Sequence, residues 1–106
     1  MGRAPRLKQE RLGEKLLKIR LALGLSQELL IKHLGIEEVA TQRRVSTYEV
    51  GTHEPPLQVL LQYARAANVY LEAIVDDELD LPDKLPSATK SEGVRRAGVA
   101  RKRVRR

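Results

Sequence analysis

Few side chains in this 106-residue sequence have chemistry to offer. There is no Cys, which removes disulfides, thiolate metal sites and cysteine nucleophiles. Only two His occur, His33 and His53, too few for a His-based metal site. The acidic run Asp76-Asp77-Glu78 with Asp80 lacks the spacing of a calcium loop and reads as a solvated cap that repels other anions or meets the basic tail. Neither GxGxxG nor GxxxxGK[ST] is present, so no phosphate-cradling loop is expected. With no nucleophile–base set and no cofactor loop, the chain reads as a non-enzyme that needs no cofactor or metal. What remains is cationic and amide chemistry: Arg43-Arg44 preceded by Gln42, and Arg95-Arg96 with Arg101-Lys102-Arg103-Val104-Arg105-Arg106. Taken alone, Arg43-Arg44 is an ordinary solvated helix face.

The net charge of +6 is unevenly placed. Residues 1–82 hold 11 basic and 12 acidic side chains, whereas residues 83–106 hold 9 and 2. The basicity therefore belongs to the C-terminal segment, where it can grip any polyanion through sequence-blind, salt-dependent counterion release. No apolar run approaches the roughly 20 residues that span a bilayer. The N-terminus lacks the apolar stretch of a secretory signal, so a cytoplasmic protein is expected.

The elements that must position these side chains read as helices. Leu12, Leu16, Ile19 and Leu23 fall on one helical stripe, with Glu14 and Lys18 paired on its flank and Gly24 at its end. Ser26 suits an N-cap for a second helix that runs to Leu34, buries Leu30, Ile31 and Leu34, and stops at Gly35. Ile36 to Thr41 form a connection with a weak helical pattern. A third helix from about Gln42 to Val50 points Val45 and Tyr48 inward and closes at Gly51. Pro55 and Pro56 start a fourth, with Leu57, Leu60, Leu61, Ala64 and Ala67 as its buried stripe and Asn68 after it. A short fifth, Leu71 to about Asp77, buries Leu71, Ile74 and Val75. Tyr63 and Tyr70 read as packing residues. No stretch keeps a period of two, so the fold class is all-α with five helices. The expected layout is a basic N-terminal arm at 1–9, a domain at 10–80 and a disordered basic tail at 81–106.

The segment Gly24-Leu25-Ser26-Gln27 through Leu34-Gly35, followed by Arg43-Arg44-Val45-Ser46-Thr47-Tyr48-Glu49-Val50-Gly51 and Glu54-Pro55-Pro56, resembles the Cro/repressor-type (XRE-family) helix-turn-helix of bacterial and phage regulators. The resemblance spans roughly Leu12 to Val75. It implies a five-helix repressor-type domain whose third helix lies in the major groove of double-stranded DNA. Gln42, Arg43 and Arg44 then occupy the turn at the base edges, where an amide can pair with adenine and a guanidinium with guanine. Ser46, Thr47 and His53 are further implied DNA contacts. Gln27 matches the family's backbone-contacting Gln, which can also brace the Gln of the reading helix. Arg20 and Glu49 match a largely buried, structural ion pair, of the kind whose loss of one partner costs about 3–5 kcal/mol.

The chain departs from the pattern in three places. The connection between the second and third helices is about one helical turn longer than the usual tight turn, either as an extension of the second helix or as a small loop. Ile31 stands where a small residue is preferred, and Val50, Thr52 and His53 stand where many members carry Lys or Arg. The function implied is a sequence-specific bacterial transcriptional regulator, a repressor acting as a homodimer on a two-fold-symmetric operator, with Tyr70, Leu71 and Ile74 as the expected dimer surface. The rivals are an antitoxin-like module with a small protein partner, and a non-specific nucleic-acid binder working through the tail.

Overall fold

The structure, a computed structural model, describes residues 9–90 together with the backbone of residues 94 and 95. The arm at residues 1–8 and most of the basic run, residues 96–106, lie outside the described residues. Five helices follow in chain order: α1 Leu12–Leu23, α2 Gln27–Leu34, α3 Gln42–Val50, α4 Leu57–Ala67 and α5 Leu71–Val75. A two-residue antiparallel ladder closes the described chain, β1 Leu79–Asp80 against β2 Val94–Arg95. It is too short to leave an alternating pattern, so the architecture is all-α.

The helix ends follow from local chemistry. Ser26 and Thr41 each accept a backbone N–H with their hydroxyl oxygen, from Leu29 at 3.1 Å and from Arg44 at 3.2 Å, and so cap α2 and α3. Gly24, Gly35, Gly51 and Asn68 sit in the left-handed region and terminate α1 to α4.

The core forms where the buried stripes meet. Leu12, Leu16 and Ile19 of α1 pack with Leu30 of α2, Val45 of α3 and Tyr63 of α4. The connection between α2 and α3 is a small loop, and α2 ends at Gly35. Ile36 and Ala40 are its two pegs, 4% and 5% exposed, joined by an N–H to carbonyl bond from Ala40 to Ile36 at 3.0 Å. Between them Glu37, Glu38 and Val39 face solvent.

Four expectations need correction. The buried face of α4 is Val59, Leu60, Tyr63, Ala64 and Ala67, while Leu57 is exposed and Leu61 only half-buried. Leu57 lies in the first turn, beyond the edge of the core, and Tyr63 supplies the bulk that fills it. In α5, Ala73 and Ile74 are buried, whereas Leu71 and Val75 are partly covered and Tyr70 is exposed beneath the Lys90 ammonium, 5.3 Å from its ring centre. Glu14 pairs with Arg11 at 3.2 Å rather than with Lys18. The ordered chain also does not stop at residue 80. Leu81 is buried, Leu85 packs on the core, and Ser87 donates its N–H to the Ala67 carbonyl while its own carbonyl accepts from Asn68 Nδ2. Residues 81–90 thus strap the C-terminal end of α4.

The acidic run is structural as well. The Asp77 carboxylate accepts the N–H groups of Glu10 at 2.8 Å and Arg11 at 3.1 Å, at the start of α1. Arg11 in turn donates to the Asp77 and Leu79 carbonyls and to Asp80 Oδ1 at 2.6 Å. Burial opposes ionisation of Asp77, but these two backbone donors together with the nearby charges of Lys15 and Arg11 outweigh it and hold its carboxyl below the usual carboxylate range. The hydrogen bond to Asp80 holds the Arg11 guanidinium even more firmly in its charged form. Among the described residues no helix is long and apolar enough to cross a membrane.

Candidate nucleic-acid interface

A line of four polar side chains crosses from α1 to the first turn of α3. Arg20 donates twice to Glu49, from Nε to Oε2 at 2.7 Å and from Nη2 to Oε1 at 3.1 Å. The pair is largely covered, with side-chain exposures of 15% and 6%, and the hydrogen bond to Glu49 raises the Arg20 pKa against the cost of burial. Arg20 also donates Nη1 to the Leu25 carbonyl, which ties the α1–α2 turn to the same guanidinium. Gln27, at the start of α2, donates Nε2 to Glu49 Oε1 at 3.0 Å. Gln42 closes the line with a weak bond, Nε2 to Gln27 Oε1, at 3.4 Å.

The line fixes amide orientations one after another. A carboxylate only accepts, so Glu49 forces Gln27 to present its nitrogen inward and its oxygen outward. That oxygen requires the nitrogen of Gln42. Gln42 is left with its own carbonyl oxygen and one N–H directed at solvent, an acceptor and a donor side by side. This is the pattern that pairs with the N6–H and N7 of adenine.

Arg43 and Arg44 are exposed beside Gln42, and neither forms an ion pair with a described residue. The first turn of α3 therefore offers an oriented amide, two available guanidinium groups and the positive end of the helix dipole. Glu37 and Glu38 in the preceding loop make the surrounding field mixed rather than purely positive.

The remaining predicted contacts lie further along. Ser46 and Thr47 are half-buried on α3, and the Thr47 hydroxyl donates to the Arg44 carbonyl at 2.6 Å, leaving it free only to accept. His53 is exposed beyond the C-terminal end of α3, at the rim of a cleft between α1 and α3. It is thus not brought together with Gln42, Arg43 and Arg44. Tyr48 is buried, and that burial raises the pKa of its phenol.

Two residues escaped the sequence reading. Gly13 lets α1 approach α3, since a Cβ there would lie 2.7 Å from the Glu49 carbonyl oxygen. That contact places the backbone of Glu49 where its side chain meets Arg20. Lys15 is 2% exposed, inside the apolar stripe of α1, and donates to the carbonyls of Ala73 and Asp76, each at 2.8 Å. Its position between Leu12 and Leu16 on the buried face was the available signal. No group of three or more His, Cys, Asp or Glu among the described residues could hold a metal ion. Comparison with family models, curated proteins and solved structures gives no match to this chain.

Proposed function

We propose that this chain is a sequence-specific DNA-binding regulator that enters the major groove with α3. One observation carries the reading: the relay Arg20–Glu49–Gln27–Gln42, which ends in a pre-oriented amide flanked by two unpaired arginines. A base reader loses less rotamer entropy on binding when a neighbouring amide, here Gln27, already sets its orientation. Gln42 and Arg43 are assigned to base edges. Arg44, Gln27, Ser46 and Thr47 are assigned to the phosphates or to the reader's support, and His53 to a phosphate at the far end of α3. Such a helix reads few base pairs, so the regulator acts as a homodimer on a two-fold-symmetric site, and repression by occupancy is the simplest consequence. Ile74 is fully buried and is withdrawn from the dimer surface; Tyr70 remains exposed.

The test is selection of duplexes from a random pool by the full chain at near-physiological salt. A two-fold-symmetric consensus is expected. On the selected site Gln42→Ala and Arg43→Ala each weaken binding by about 1–3 kcal/mol, with non-specific binding little changed for Gln42→Ala. Equal affinity of both variants for the selected site would remove α3 as the reader.

A second reading, a protein-interaction module, is favoured by the exposed aliphatic side chains Leu21, Leu29, Val39, Val50 and Leu57. A stoichiometric small partner that copurifies with the chain, together with no enriched duplex, would select it.

A further inference from the structure

Between the N-terminal half of α1 and the C-terminal end of α3 lies a cleft of about 480 Å³. Leu12, Leu17, Tyr48 and Val50 supply its apolar lining, and Val50 is 70% exposed. Glu10, Glu14 and Glu54 stand around it, and neither Lys nor Arg is among its described lining residues. Glu14 already holds Arg11 but remains 66% exposed, with acceptor capacity to spare.

The ladder directs the chain toward this cleft. Val94 pairs with Asp80 and Arg95 with Leu79 in antiparallel register, so at Arg95 the chain runs toward Glu78 and Asp77. Asp77 holds the backbone of Glu10, which lines the cleft. Residues 96–106 then supply Arg96, Arg101, Lys102, Arg103, Arg105 and Arg106, no acidic side chain, and two valines at 99 and 104. A segment of that length reaches about 36–40 Å when extended, ample for a neighbouring cleft.

We propose that residues 96–106 of this chain dock in the α1–α3 cleft, with their cations on its carboxylates and a valine against its apolar side chains. Each exposed ion pair is weak and screened by salt. Tethering at the ladder raises the effective concentration of the segment and lets several such pairs act together. The cleft is then an internal receptor that any polyanion must displace before it can claim the tail. Docking of the tail requires no DNA and does not depend on the role of α3.

Lys102 is the only amine-bearing side chain in residues 96–106, which makes zero-length carbodiimide coupling a direct probe on the full chain. Peptide mapping is expected to find Lys102 joined to Glu10 or Glu14. The yield should be unchanged on dilution, suppressed at high salt and reduced several-fold in the Glu10→Gln/Glu14→Gln variant. Coupling that falls on dilution, reaches only residues 76–78, or ignores that variant would overturn the proposal. So would its absence while Lys84 and Lys90 still couple. As a second readout, the amide resonances of Gly13 and Gly51 should move in the R101Q/K102Q/R103Q/R105Q/R106Q chain; unchanged resonances would equally overturn it.

Discussion

Lys15 shows how much one misplaced-looking side chain can determine. It reaches across from α1 to cap the carbonyls at the end of α5, where an unpaired acceptor in the core would be costly. Burial pushes its ammonium down to about 8, against an ordinary value of 10.5. A neutral amine still has two N–H groups for the two carbonyls, so the bonds outlast the charge. Between these two values the unfolded chain binds the proton more tightly than the folded one. Stability therefore rises with pH from about 8 toward 10.5 instead of falling. Urea midpoints measured across that range should climb for the wild type and stay flat for Lys15→Met; parallel slopes would exclude Lys15 as the titrating group. Tyr63 offers the opposite case. Its ring is fully buried, yet its hydroxyl has no hydrogen-bond partner among the described residues, and burial raises its pKa. Tyr63→Phe should match the wild type or exceed it by about 1 kcal/mol in unfolding free energy, since an unsatisfied hydroxyl is removed from the core. A clear loss of stability would show that the hydroxyl is satisfied.

Among the elements, the crossing of α1 over α3 is the sharpest constraint. A glycine in a helix costs about 1 kcal/mol relative to alanine, yet Gly13 sits in the first turns of α1 because backbone atoms of Tyr48 and Glu49 lie where a Cβ would go. Gly13→Ala should lower stability by about 1–3 kcal/mol despite its better helix propensity, as overpacking forces the helices apart. Thermal unfolding decides it, and an alanine variant more stable than the wild type would show that the crossing relaxes easily. The helix ends were legible beforehand because each has a local cause: Ser26 at a start, and Gly24, Gly35, Gly51 and Asn68 at four stops. The inward side chains of α2 and α3 were legible for the same reason, since each short helix has one apolar stripe. The α4 sequence is apolar enough to support two phases that share Leu60, Ala64 and Ala67. Tyr63 reads as a packing residue from the sequence, but only the space under α1 decides that Val59 joins it in the buried face in place of Leu57 and Leu61. Along the polar relay, the partners Arg20, Glu49, Gln27 and Gln42 came from resemblance, but the order in which they fix one another's amides needed the coordinates.

At the scale of the whole molecule, the surprises are contacts between residues far apart in sequence. Arg11 and Asp77 are 66 positions apart, and nothing in either local segment announces the other. The acidic run therefore read as solvated, and the strap at 81–90 as tail. Leu81 and Leu85, each directly before a proline, were the signal that this stretch has something to bury. Ending the chain after Pro82 removes the Leu85 contact and the Ser87 bonds to Ala67 and Asn68, and should lower the unfolding free energy by about 1–3 kcal/mol. Chemical denaturation of that truncation against the full chain is the check, and equal midpoints would mean the strap adds nothing. The seam at Arg11 has a kinetic consequence too. The Arg20–Glu49 pair closes a loop of 29 residues, whereas the Arg11–Asp80 pair closes one of 69. The larger closure costs more chain entropy and returns its bonds only after α5 is in place. The seam should thus be the last part to zip and the first to open, with the amides of Glu10 and Arg11 exchanging hydrogen well ahead of those around Ile19 and Val45.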